Sequence, residues 1–111
     1  MSFEEAVIAV KRFRDERDWK KFHNLKDLAI SINLEASELL ELFQWSGQEV
    51  DLNNKKDEAA SELADIMIYC IYFADKLNID IDNAINEKIS RNNERYPIEK
   101  AYGSSRKYSK L

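Results

Sequence analysis

Glycine and proline are nearly missing from this chain, with two glycines and one proline among 111 residues. Turn-dense β architecture needs both at its corners, so their scarcity argues against sandwiches and barrels and for long helices. Histidine and cysteine are scarcer still, at one each. His23 and Cys70, far apart in sequence, are too few for a zinc site, which draws its ligands mainly from those two residue types. Nor can Cys70 close a disulfide within the chain; it lies in an apolar run and reads as a buried thiol in a reducing compartment. Di-iron carboxylate bundles use Glu-x-x-His pairs, and His23 does not follow any Glu by three positions.

Positive charge is also short, and the net charge is −4. A polymer of nucleic acid needs clustered Lys and Arg, so it is not the expected partner; a small phosphorylated ligand held through a metal is still allowed. Long apolar runs are absent as well. Asp65 and Asp75 bracket the best candidate span, which leaves no expected membrane segment. The acidic start Met1-Ser2-Phe3-Glu4-Glu5 lacks a signal-peptide pattern. The cytosol is the expected location.

What remains is 44% apolar and 34% charged residues, enough for one core and a well-solvated surface. A single domain over 1–111 is expected, with a loose basic tail over about 98–111 that carries Arg106, Lys107 and Lys110. Ser2 with Glu5 has capping-box spacing, and Phe3, Ala6, Val7, Val10 and Phe13 give the first helix an apolar face that ends near 18–23. Asn24 starts a second helix, with Leu28, Ile32, Leu39, Leu42 and Phe43 as its stripe and Gly47 as its stop. A polar loop over 48–54 precedes a third helix running from about Asn54 to Leu77, apolar nearly all round in its middle and so the most buried. Asp80 caps a fourth from about Ile81 to Arg95, which Pro97 terminates. The expected fold is all-α, an antiparallel four-helix bundle. So short a chain leaves an apolar face that a second copy can cover, and a homo-oligomer is expected.

The informative feature is a concentration of acids on the two most apolar helices: Glu35, Glu38 and Glu41 on the second, Glu58, Glu62 and Asp65 on the third. Residues three or four apart share a helix face, which places Glu35 beside Glu38 and Glu62 beside Asp65. Like charges at that spacing repel by roughly 0.2–0.5 kcal/mol per pair. No basic residue between Ile30 and Gln48 offsets them. If the two helices pack antiparallel, the pairs face one another, and so close a cluster needs cations to stay ionised. Oxygen-only ligands suit a hard metal such as Mg²⁺ or Mn²⁺. Solvated helix faces are the competing reading; the core-type neighbours Leu39, Leu40, Leu63, Ala64 and Ile66 count against it.

Trp19, Phe22, His23 and Trp45 fall near the ends of the first two helices. Flat rings there serve either packing or the stacking of a nucleobase. Lys88, Arg91, Asn92 and Arg95 follow helical spacing on the fourth helix, which fits a solvated face as well as a phosphate contact.

Glu35-Ala36-Ser37-Glu38 followed by Glu62-Leu63-Ala64-Asp65 resembles the paired E-x-x-E and E-x-x-D signature of the all-α nucleotide pyrophosphohydrolases. That superfamily includes MazG, dimeric dUTPases and phosphoribosyl-ATP pyrophosphatases. Glu16-Arg17-Asp18-Trp19, Phe22-His23, Glu41-Leu42-Phe43-Gln44-Trp45, Asn92 with Arg95-Tyr96-Pro97, and Arg106-Lys107-Tyr108 are similar to the MazG-like dCTP pyrophosphatase branch, over nearly the whole chain.

The resemblance implies an oligomeric (dimeric or tetrameric) four-helix protomer with Mg²⁺ held by Glu35, Glu38, Glu62 and Asp65. It implies a base pocket involving Trp19, His23 and Trp45 with Tyr69 near the nucleotide, and a phosphate end served by Lys88, Asn92, Arg95 and Tyr96. The implied reaction is hydrolysis of a nucleoside triphosphate, of the dCTP type or a modified pyrimidine, to monophosphate and pyrophosphate, a house-cleaning role. Glu38 and Glu41 are the candidates to take the proton of the attacking water. Two departures stand out. Ala36 and Ser37 occupy positions where family members often have Gly, and Val10 stands where some dCTP-preferring members carry a histidine. The competing classes are a nucleotide-binding regulator without turnover and a structural helical oligomer.

Overall fold

The computed structural model describes residues 1–47 and 52–111, with the side chains of 52–54 excepted. Among the described residues the chain is all-α: α1 (Phe3–Glu16), α2 (Leu25–Glu41), α3 (Leu52–Lys76), α4 (Ile81–Arg95) and the short α5 (Ile98–Ala101), with 3₁₀ turns at Lys20–Phe22 and Tyr108–Lys110. The backbone forms two compact units, Met1–Asn78 and Ile79–Leu111. No helix is long and apolar enough to cross a membrane among these residues.

Local chemistry sets the helix starts. The Ser2 hydroxyl accepts the Glu5 amide at 3.1 Å while the Glu5 carboxylate accepts the Ser2 amide, closing the capping box. Asn24 Oδ1 accepts the Asp27 amide at 2.8 Å and Asp80 Oδ1 the Asn83 amide at 3.1 Å. Each cap satisfies a donor that the first helical turn leaves free, contributing about 1 kcal/mol. Asp18, at φ 53°, turns the chain out of α1, and Pro97 excludes a helical continuation through Tyr96.

Two boundaries and the tail differ from the sequence reading. α2 ends at Glu41 rather than running on to Gly47. Beyond it the amides of Leu42, Phe43, Gln44 and Ser46 each bond a carbonyl three residues back, so the chain tightens into turns up to Gly47, which takes the left-handed φ of 65° that glycine allows. Leu42 and Phe43 therefore lie past the helix. α3 begins at Leu52, two residues ahead of the expected Asn54; of the polar loop expected over 48–54, residues 48–51 lie outside the described residues and 52–54 belong to α3. The tail is partly ordered by its own contacts, with α5 and an edge-on Tyr96–Tyr108 pair at 6.0 Å.

In the first unit, Lys55 reaches the Leu42 carbonyl and Glu35 and Glu38 lie beside Glu62 and Asp65, so α2 and α3 run antiparallel. α1 and α3 run in the same sense: Val10 is tied to Tyr72, and Lys11 and Arg14 to Asp75 one turn on. The buried apolar set is Leu28, Ile71, Tyr72 and Ala74. Three of the four sit on α3, in line with its expected burial. A fully buried leucine such as Leu28 stabilises by about 1.5–3 kcal/mol. Elsewhere α2 and α3 remain open: Leu34 is 57% exposed and Leu63 53%. Cys70 is half-buried rather than buried, and desolvation raises its thiol pKa, which keeps it protonated and unreactive.

Candidate functional site

The facing turns of α2 and α3 bring four carboxylates together. One oxygen each from Glu35, Glu38, Glu62 and Asp65 lies within 4.8 Å of the others. One oxygen of Glu35 and one of Glu62 are buried without a hydrogen-bond partner among the described residues. Burial, reinforced by Glu38, Asp65 and Glu62, pushes the Glu35 carboxyl up to about 6. Glu62 is raised as well, by burial first and then by Glu38, Asp65 and Glu41. Orphaned carboxylate oxygens packed this closely are costly unless protons or a cation sit among them. An all-oxygen donor set of this charge fits a hard divalent cation. Glu41, one turn beyond Glu38, is exposed but close enough to act on Glu62.

Beside the cluster lies a cavity of about 400 Å³ lined by Ala9, Val10, Phe13, Trp19, His23, Asp65, Ile68, Tyr69 and Tyr72. Phe13 and Trp19 meet edge to face at 5.6 Å, and His23 lies against Tyr72 at 5.1 Å with the rings tilted by 35°. The turn after α1 places Trp19: its amide bonds the Arg14 carbonyl at 3.2 Å. Burial, then the positive charges of Arg14 and Lys76, lowers the His23 pKa, so the imidazole is neutral near pH 7. Its Nδ1 is buried and without a hydrogen-bond partner among the described residues. A mostly aromatic and aliphatic cavity with a few polar atoms is the form that takes a flat heteroaromatic ring. Asp65 belongs to both the cavity and the acidic cluster, so the two form one continuous site.

Of the residues singled out from sequence, the structure brings Glu35, Glu38, Glu62 and Asp65 into one cluster and Trp19, His23 and Tyr69 into one cavity. Trp45 is 90% exposed and does not line that cavity. Lys88, Asn92, Arg95 and Tyr96 belong to the second unit, on α4 and at its C-cap. There the Arg95 guanidinium lies 5.0 Å over the Tyr108 ring. Phe13 and Tyr72 escaped the sequence reading as site residues. Phe13 sits in the apolar stripe of α1, and Tyr72 follows Tyr69 by three on the same face of α3, but nothing in that spacing separates a cavity wall from core.

The chain matches the MazG-like family over residues 30–111. It is 36% identical over 104 residues to human dCTP pyrophosphatase 1 and 34% identical to the rat protein of the same name. Each match covers 89% of this chain, which spans 61% of the length of those relatives. Among solved structures it is similar to a pyrophosphatase from Archaeoglobus fulgidus, with 38% identity and a TM-score of 0.78, covering 85% of this chain and 91% of that one.

Proposed function

Because the chain belongs to the MazG-like family, we propose that it hydrolyses a nucleoside triphosphate to the monophosphate and pyrophosphate, with a divalent cation, Mg²⁺ first and Mn²⁺ as substitute, held by Glu35, Glu38, Glu62 and Asp65. The observation that carries this reading is Asp65, which joins a cluster fit for a cation to a cavity fit for a base. The names of the human, rat and archaeal relatives support the same chemistry. dCTP or a modified pyrimidine triphosphate is the proposed substrate.

A triphosphate brings further negative charge to a site already crowded with carboxylates. Bound among them, the cation supplies charge neutralisation for the phosphates and acidifies water for attack. The rest falls to the chain. Trp19, Phe13 and Tyr69 flank the base and exclude water from it, and neutral His23 offers a hydrogen-bonding nitrogen to its polar edge. Glu38, or Glu41 one turn on, takes the proton of the attacking water, since an exposed carboxylate not wholly committed to the cation can accept it. Lys88, Asn92, Arg95 and Tyr96 are assigned to the phosphate end on the family resemblance alone, and so is Trp45 to the base, although it stands outside the cavity of this chain.

A homo-oligomer is part of the proposal. Ile30 and Leu34 on α2, and Leu63 and Met67 on α3, stand at matching levels of the antiparallel pair and are 41–57% exposed. A second copy is the natural cover for such a face. The test of function is pyrophosphate release from a panel of canonical and modified dNTPs, with Mg²⁺ and with chelator. Mg²⁺-dependent release with a pyrimidine preference supports the reading; folded protein that binds nucleotide without releasing pyrophosphate makes it a regulator instead.

A further inference from the structure

Arg14 is the one charged side chain buried in the first unit among the described residues, at 3% exposure, and nothing in the proposed chemistry uses it. Its Nε donates to Asp15 at 2.8 Å and its Nη1 to Asp75 at 2.8 Å. The guanidinium lies 5.4 Å from the centre of the Tyr72 ring, and that ring packs on His23 at 5.1 Å. The Tyr72 hydroxyl is already committed to the Val10 carbonyl at 3.0 Å, which leaves its ring face to Arg14 and His23. The Arg14 carbonyl in turn accepts the Trp19 amide. One residue thus touches the supports of two cavity walls without lining the cavity itself.

A fastener between α1 and α3 does not account for this. Lys11 reaches Asp75 at 3.1 Å, and the Tyr72–Val10 hydrogen bond joins the same two helices. Burying a guanidinium costs several kcal/mol of desolvation, and an apolar side chain of similar volume often serves stability as well or better. A planar cation with five donors is the group that can bind two carboxylates and still lay itself on an aromatic face.

We infer that Arg14 is a positioning residue for base binding: acting through Tyr72, its guanidinium fixes the His23 ring that meets the polar edge of the base. The inference rests on the reading that the cavity takes the base. The charged groups that act on His23 are Arg14 from α1 and Lys76 from α3; Tyr72 packs on its ring, Asp65 of α3 lines the same cavity, and Lys20 and Lys21 precede it in its own turn.

The test uses the full chain with Arg14→Met and Arg14→Lys, read by steady-state kinetics on dCTP with Mg²⁺ and by proton NMR. His23 is the only histidine, so its ring signals need no assignment. Arg14→Met is expected to raise KM roughly tenfold to hundredfold, the scale of a displaced contact group, with kcat little changed. It also moves the His23 signals and raises their titration midpoint. Arg14→Lys, which keeps the charge but loses the planar fork, falls between it and the parent. Unchanged KM with only a lower melting temperature, or unmoved His23 signals, overturns the inference. If the parent chain releases no pyrophosphate from any nucleotide, the functional reading fails and the dissociation constant for dCTP, read by tryptophan fluorescence, replaces KM: weaker binding by Arg14→Met with shifted His23 signals upholds the positioning role, and an unchanged constant or unmoved signals refute it. Should Arg14→Met fail to fold, Arg14→Lys decides by the same two readouts.

Discussion

Glu35 on α2 and Glu62 on α3 face one another with one carboxylate oxygen each buried and unpartnered among the described residues. Two such groups on antiparallel neighbours are under electrostatic stress that either a proton or a cation relieves. That stress is the physical root of the proposed chemistry.

Replacing one of the pair relieves the stress and removes the cation. Glu62→Gln is expected to leave the metal-free melting temperature unchanged or raised, and to abolish the stabilisation that added MgCl₂ gives the parent. Thermal melts with and without Mg²⁺ check this. A variant that Mg²⁺ still stabilises as strongly as the parent removes Glu62 from the cation site.

Glu38→Gln is expected to keep the fold, because the side chain is exposed and of equal size. It lowers kcat by roughly 10²–10⁴-fold, the usual worth of a positioned general base. If Glu38→Gln turns over normally while Glu41→Gln does not, Glu41 takes the proton instead.

These acids were the most legible part of the molecule. The i, i+3 spacing of Glu35 with Glu38 and of Glu62 with Asp65 shows in the sequence, and antiparallel packing of adjacent helices is the simplest way to join them. The capping residues Ser2, Asn24 and Asp80 were equally plain, because a cap depends only on residues three positions away. Arg14 gave no such signal. It follows Val10 by four and therefore falls on the apolar face of α1, a place that becomes intelligible only when Asp75, 61 residues on, supplies the counter-charge. The early end of α2 was hidden for a related reason: the apolar spacing continues through Leu42 and Phe43 while the hydrogen bonding has already changed.

Trp19→Ala removes a cavity wall. Stacking on one ring is worth about 1–3 kcal/mol, so KM for the nucleotide should rise roughly fivefold to hundredfold with the melting temperature little altered, since Trp19 is 44% exposed. Fluorescence or kinetic titration with dCTP measures it. An unchanged KM means the base lies elsewhere.

The Arg14–Asp75 pair carries a pH signature. Burial pushes the Asp75 carboxyl up, but hydrogen bonds from Arg14 and Lys11 outweigh it and hold the group below its ordinary 3.8. A depressed folded-state value stabilises the fold above 3.8 and loses that contribution as the pH falls through the depressed value. Asp75→Asn is therefore expected to cost about 1.5–3 kcal/mol near neutrality, the range for hydrogen bonds to a charged group, with a shallower loss of stability below pH 3.8. Urea melts across the acid range would show it; parallel curves for variant and parent contradict it.

The open apolar faces make a prediction about assembly. Leu34→Asp or Met67→Lys should shift the chain toward monomer in light scattering coupled to size exclusion, with helicity retained, because both side chains are exposed within the protomer. A parent chain that is already monomeric at high concentration ends that part of the account.

The most direct test of the whole is to follow dCTP by ³¹P NMR in the presence of the parent chain and of Glu62→Gln, each with Mg²⁺ and with chelator. The account predicts dCMP and pyrophosphate from the parent with Mg²⁺ alone, and unreacted dCTP in the other three tubes. Release of dCDP and inorganic phosphate, turnover that survives the chelator, or equal turnover by Glu62→Gln would contradict it.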